Sequence, residues 1–425
     1  NGDTLSYFQD FLHNSDFDDS NFSNAEVVFI GYGIGADSYN EYKELDLKDK
    51  VVMFIDGEPK SKKGKYIVNK KNSHSSWENR QKKIEKIKTH GAKAIIVVNE
   101  RLSFLKSSYA HSFKSSKMAL ATDSFGMKLP VVFISPKTAD RLLTKGGCKN
   151  GLFVTKKKIS KKGKPLSCDL LLKIGFHSDL INHKITSENV LGFVEGTDKK
   201  EEVVVVTAHY DHIGVHDGEV FNGADDDGSG TTALLMMAKA FSKAKEDGNG
   251  PRRSILFMPV SAEEKGLLGS RYYSENPIFN LENTVADLNI DMIGRIDPNR
   301  EEKNRNYIYL IGSDIISQDL HDISEETAKK YSNLVLDYRY NDPTRKVFES
   351  GRYIENRYYY RSDHYNFAEK NIPIIFYFNG THQDYHQPSD TPDKINYNLL
   401  QKRTQLIFYT TWEIANRENR IVVDK

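Results

Sequence analysis

The residues able to do chemistry lie between residues 208 and 387, in five short motifs of histidines and acids. Ala208-His209-Tyr210-Asp211-His212 follows a run of β-branched residues at 203–207. An imidazole there can ligate a metal, and Asp211, two residues on, can hold the ring's other nitrogen. Next, Asn222-Gly223-Ala224-Asp225-Asp226-Asp227-Gly228-Ser229-Gly230 opens a helix. A helix N-terminus accommodates one aspartate as a cap. Three adjacent carboxylates are costly unless a cation compensates them. Ser261-Ala262-Glu263-Glu264 offers two carboxylates that can divide labour, one binding metal and the other moving protons. Asp287-Leu288-Asn289-Ile290-Asp291-Met292 and Asp384-Tyr385-His386-Gln387 complete the set. Imidazole and carboxylate without thiolate suit zinc in a catalytic site, with one position left for water.

These residues need a frame that brings them together. Short apolar runs at 203–207, 255–260, 285–290, 307–311 and 374–378 read as strands, with Pro259 expected to end the second of them. A helix is expected over 229–245, with Ala233, Met236, Met237, Ala240 and Phe241 on its inner face. Another amphipathic helix spans 399–415. Strands alternating with helices predict an α/β fold with a mostly parallel sheet covered on both faces. Sites in such sheets form at the carboxyl ends of the strands, where the polar clusters fall. Residues 24–185 read as a smaller α/β unit. Its strands are expected at 27–30, 51–55, 94–98 and 131–134, and its helices at 77–90 and 136–144. Lys-rich loops at 60–71 and 145–164 lack core-forming periodicity.

Charge divides along the same line. Of 60 Lys/Arg and 59 Asp/Glu, residues 24–185 hold 32 and 15, a net of +17, and the remainder a net of −16. Such a split marks two units with different surfaces. No run of about 18 apolar residues exists to span a membrane. Two cysteines, Cys148 and Cys168, are too few for a disulfide framework; they form one disulfide or remain two free thiols. The start, Asn1-Gly2-Asp3, lacks the basic and apolar stretches of a signal peptide, so the chain is either cytoplasmic or follows a removed leader.

Taken together, the five motifs over residues 190–425 resemble the co-catalytic di-zinc aminopeptidases, whose relatives include glutaminyl cyclases, glutamate carboxypeptidases and the transferrin receptor. The resemblance implies two zinc ions per chain and peptide substrates, with no nucleic-acid partner. His209, Asp226 and Asp291 would ligate one ion; Glu264, Asp226 and His386 the other. It makes Glu263 the general base, Asp211 the residue that orients His209, and Tyr385 a donor to the developing oxyanion. Arg361-Ser362-Asp363-His364 resembles a pocket-wall motif of the family, and a cis peptide is implied at Asp226–Asp227. Residues 24–185 resemble an inserted protease-associated domain, whose His74, His90, His111, His177 and His183 sit in no ligand spacing. The catalytic domain would then be residues 1–23 and 186–425. Members with that insertion are exported, which implies a secreted or periplasmic protein.

The expected activity is aminopeptidase, because an acidic unit favours a substrate ammonium group. Arg361 or Arg357 could instead clamp a terminal carboxylate, so a carboxypeptidase or dipeptidase stays open. A glutaminyl cyclase or a non-catalytic scaffold fits less well: Gly228-Ser229-Gly230 matches the peptidase form of the motif, and no ligand is missing.

Overall fold

The computed structural model describes residues 4–13, 21–43, 45–108, 117–123, 129–178, 183–216, 218–300, 302, 304–349 and 352–425. Asn1-Gly2-Asp3 and His111 lie outside them. The chain forms two compact units, residues 1–117 with 121–184, and residues 118–120 with 185–425.

The main sheet of the smaller unit has six strands: β1 (Phe11–His13), β2 (Phe22–Phe29), β3 (Val51–Ile55), β4 (Ala94–Val98), β5 (Val131–Ile134) and β6 (Cys168–Phe176). They lie in the order β1-β5-β4-β3-β2-β6. The inner ladders are parallel and both edge strands antiparallel. Helices α1 (Arg80–Thr89), α2 (Leu102–Ser108), α3 (Pro136–Lys145) and α4 (Leu152–Lys162) complete the unit. Alternate residues of the central strands enter two separate cores. Val51, Met53 and Ile55 pack with Leu143, Leu152 and Ile159, while Val52 and Phe54 pack with Ile87. Cys148 and Cys168 are joined as a disulfide.

Two expectations need correction here. The described residues before position 24, 4–13 and 21–23, belong with this unit, because Leu12 is fully buried and β1 closes the sheet edge against β5. The stretch 145–164 is not all loop: α4 buries Leu152, Thr155 and Ile159 at a spacing of three and four, with lysines on its remaining faces.

The larger unit holds β7 (Gly192–Val194), β8 (Lys199–His209), β9 (Arg253–Val260), β10 (Thr284–Ile290), β11 (Tyr307–Ile311), β12 (Val335–Asp337) and β13 (Ile374–Phe378). Their order is β12-β11-β13-β10-β8-β9-β7. The ladders β12-β11, β13-β10, β10-β8 and β8-β9 are parallel. Helices α5 (Gly228–Glu246), α7 (Gln318–Tyr331) and α9 (Tyr397–Asn416) cover one face, and α6 (Leu268–Glu275) and α8 (His364–Ala368) the other. Pro259 stays inside β9. The antiparallel neighbour β7 pairs only Ile255–Phe257, so no ladder bond to it is lost at the proline. The inner face of α5 is Ala233, Leu234, Met237 and Phe241; Met236 and Ala240 point outward. No helix among the described residues is long and apolar enough to cross a membrane.

Candidate metal centre

Parallel register sets up the site. Thr207 lies opposite Asn289, and His209 opposite Val260, so the chain beyond these strand ends delivers His209, Asp291 and the Glu263-Glu264 pair to one edge. His209 Nε2 lies 3.3 Å from Asp226 Oδ1 and 3.7 Å from Asp291 Oδ1. His386 Nε2 lies 3.1 Å from Asp226 Oδ2 and 3.3 Å from Glu264 Oε2. The two carboxylate oxygens of Asp226 thus face two different imidazoles. Ala262, Met292 and His386 have φ of 59°, 59° and 56°, so three of nine positive-φ non-glycine residues among the described residues lie in or beside this set. Such conformations cost roughly 1–3 kcal/mol each and persist where the surroundings enforce them.

The three consecutive aspartates do three different things. Asp225 Oδ1 accepts from Gly294 N, and its Oδ2 from Asn379 Nδ2 and His382 Nε2. Asp227 caps α5: Oδ1 accepts from Gly230 N and Met292 N, and Oδ2 from His209 N. Of the three, only Asp226 turns its carboxylate toward His209 and His386. Burial pushes its pKa up, but His209 and His386 outweigh this and hold it below the usual carboxylate range. Asp390 Oδ2 fixes this turn by accepting from the backbone N of Asp225 and Asp226. The Asp226–Asp227 peptide is cis.

Asp211 acts differently from expectation. Its backbone carbonyl, not its carboxylate, accepts from His209 Nδ1, at 2.9 Å; Asp211 Oδ1 is 3.9 Å away. The carboxylate instead accepts from Glu263 N at 3.0 Å and Glu264 N at 3.4 Å. Asp211 therefore positions both the imidazole and the glutamate pair. The carboxyl of Glu263 is only 11% exposed. Burial pushes its pKa well up, and Asp291, Asp363 and Glu264 add to this against His209.

Tyr385 stacks on His386 at 3.9 Å and lines a small cleft with Asp226, Glu263, Asp291, Arg361 and Tyr358. Arg361 Nη2 donates to the Tyr385 hydroxyl at 3.1 Å. Of the motif Arg361-Ser362-Asp363-His364, only Arg361 lines the cleft; the other three are fully buried beneath it. Ser362 accepts from Asn289, Asp363 from Ser270, and His364 Nε2 donates to Tyr359 O. Burial pushes His364 down to about 3, so it is a neutral framework group.

Sequence reasoning passed over His212, whose Nδ1 lies 2.9 Å from Glu264 Oε1. It also passed over Asp390 and His382. The signal for His212 was present in the first motif, as an imidazole three residues from a ligand candidate. The residues fit a metal. His209 Nε2, Asp226 Oδ2 and Glu264 Oε1 are buried without a hydrogen-bond partner. Native proteins seldom leave such atoms unpaired. One donor atom each from His209, Asp226 and Asp291, and from His212, Asp226 and Glu264, lies within 4.8 Å of its companions.

A family profile described as Peptidase family M28 matches residues 189–411, more than half of the chain. The chain belongs to peptidase family M28. The matched span includes every residue of both donor sets. Among M28-like relatives, Aminopeptidase YwaD of Bacillus subtilis (strain 168) is 27% identical over 243 residues, which are 55% of this chain and 46% of that protein. A "Probable glutamate carboxypeptidase" of Arthroderma benhamiae is 36% identical over 105 residues, 24% of this chain and 14% of that one. The chain thus spans less than half the length of these relatives. The solved aminopeptidase from Aneurinibacillus sp. strain AM-1 covers 98% of this chain and 82% of its own at 18% identity and a TM-score of 0.50, a likeness of fold.

Proposed function

We propose that this M28 member is a two-zinc aminopeptidase that removes residues from the free amino ends of peptides. The observation that carries this reading is Asp226, which faces His209 with one oxygen and His386 with the other while Oδ2 lacks any hydrogen bond. In this reading His209, Asp226 and Asp291 hold one ion, and Asp226, Glu264 and His386 the other. Two zinc ions polarise a scissile carbonyl and make a water acidic enough to attack it at neutral pH. Glu263 takes the proton of that water and returns it to the leaving amine. Tyr385 donates to the developing oxyanion, and because its oxygen already accepts from Arg361, its own proton is free to be given.

Direction comes from charge. Residues 185–425, which hold the site, carry 28 Lys/Arg against 39 Asp/Glu, a net of −11, a field that favours a substrate ammonium. Arg361 in the cleft supports a carboxypeptidase as the second reading, since a guanidinium can clamp a terminal carboxylate. Arg357 is exposed and does not line the cleft, so it gives that reading no support. Matched peptides decide between them, one N-acetylated and one C-amidated. Acetylation should abolish cleavage and amidation spare it; the reverse result sinks the aminopeptidase reading.

The smaller unit, in the same proposal, is a protease-associated-like domain that contributes no zinc ligand. The Cys148–Cys168 disulfide supports an oxidising compartment, secreted or periplasmic.

A further inference from the structure

We propose that His212 is a direct ligand of the second metal, which gives that position four protein donors: His212, His386, Glu264 and Asp226. The proposal rests on the two-zinc reading above and deepens it. Both ring nitrogens of His212 are buried and neither has a hydrogen-bond partner. Nδ1 nevertheless lies 2.9 Å from Glu264 Oε1, and Oε1 is also without a partner. Two polar atoms that close without a hydrogen bond are misaligned with each other. One ligand atom each from His212, Asp226 and Glu264 lies within 4.8 Å of the others. The four separations from His212 and His386 to the two carboxylates are 2.9, 3.9, 3.1 and 3.3 Å. Glu264 meets His212 through Oε1 and His386 through Oε2, and the separations are of the size of the distance, about 3.3 Å, between donor atoms on one zinc ion with bonds of about 2.0 Å. The two imidazole rings sit edge to face, with centroids 5.8 Å apart.

The fold makes room for this ring. Gly223 has a φ of +63°, and a Cβ there would come within 2.6 Å of His212 Cγ and 2.5 Å of Asp226 O. The turn that carries Asp226 therefore passes directly against the imidazole only because residue 223 has no side chain. The consequence is an asymmetric pair. The first position has three protein ligands and the second four. The second position should therefore fill first and release its ion last.

The test is zinc K-edge X-ray absorption on the full-length protein loaded with two zinc ions, together with chelator-competition titration. The wild type should average about 1.5 imidazoles per zinc, three histidines shared between two ions, and His212→Ala about one. The tighter of the two zinc affinities should fall by at least about tenfold in the variant. A wild type averaging one imidazole per zinc overturns the proposal and leaves the two-zinc reading standing; that count needs no variant to fold. A wild type that binds fewer than two zinc ions overturns the underlying reading itself. His212→Asn separates the remaining case. If it restores full zinc affinity at an unchanged imidazole count, His212 only holds Glu264 through a hydrogen bond, and the proposal fails.

Discussion

Glu41 of the smaller unit and Asp226 of the larger are each 3% exposed, yet their surroundings are opposite. Glu41 is completed by its own fold: Oε2 accepts from the backbone N of Tyr32 and Ile34, and Oε1 from the Tyr39 hydroxyl. Asp56, just past the end of β3, is completed likewise by Arg80, Asn99 and Gly57 N. Asp226 lies among histidines and further carboxylates, with Oδ2 unpaired. Both units are largely parallel sheets with acids at strand ends, so that placement alone does not mark a site. What distinguishes the larger unit is that its acids converge with buried imidazoles and remain unsatisfied. A fold that leaves several such atoms unpaired in one place has left them for a cation.

The sharpest way to break this contrast is to delete one acid from each side. Asp226→Ala should lose both zinc ions and essentially all activity, because both donor sets share that carboxylate. Asp56→Ala should leave zinc content unchanged. Metal analysis of the two purified variants checks both; an Asp226→Ala protein with two zinc ions and normal turnover would remove the shared ligand from the site. Glu263→Gln should have the next largest effect. The metals stay, since Glu263 belongs to neither donor set, but kcat falls by about 10²–10⁴-fold. Near-normal kcat with full zinc would mean that another group moves the proton.

The sequence disclosed strands and ligand types better than it disclosed faces and second partners. The strands Val51–Ile55, Ala94–Val98, Val131–Ile134, Tyr307–Ile311 and Ile374–Phe378 have the bounds expected from their apolar runs. A strand covered on both faces must be apolar at every position, so its ends are visible. In α5 the run Ala233-Leu234-Leu235-Met236-Met237 is apolar on all sides, and periodicity could not tell that Leu234 packs inward while Met236 stays 57% exposed. Helix α4 was hidden by its lysines, whose stems lie along a helix without interrupting it. At the site, coordination chemistry fixed the residue types in advance. The route of the chain decided the rest: Asp211 meets His209 through a carbonyl because its carboxylate is taken by the backbone of Glu263 and Glu264.

The smallest expected effect tests the other half of the contrast, that Glu41 is finished without any ligand. Burial pushes its carboxyl from 4.5 up to about 7, against the N–H groups of Ile34 and Tyr32 and the Tyr39 hydroxyl, which pull it down. The folded unit therefore keeps this proton to a higher pH than the unfolded chain does. The stability it contributes is complete below about pH 4.5 and is lost as pH rises through about 7. One pK unit corresponds to about 1.4 kcal/mol, so the window amounts to roughly 3 kcal/mol. Glu41→Gln keeps the contacts without the titration: its amide oxygen can accept from Tyr32 and Ile34, and its NH₂ can donate to the Tyr39 oxygen. Trp77 in the smaller unit and Trp412 in the larger are the chain's two tryptophans, so a Trp412→Phe background reports the smaller unit alone. In that background, urea unfolding followed by Trp77 fluorescence should show stability falling between about pH 4.5 and 7 with Glu41 in place, and a flatter profile in the Glu41→Gln variant. Equal slopes for the two proteins would mean that Glu41 is ionised throughout, and that its hydrogen bonds outweigh its burial.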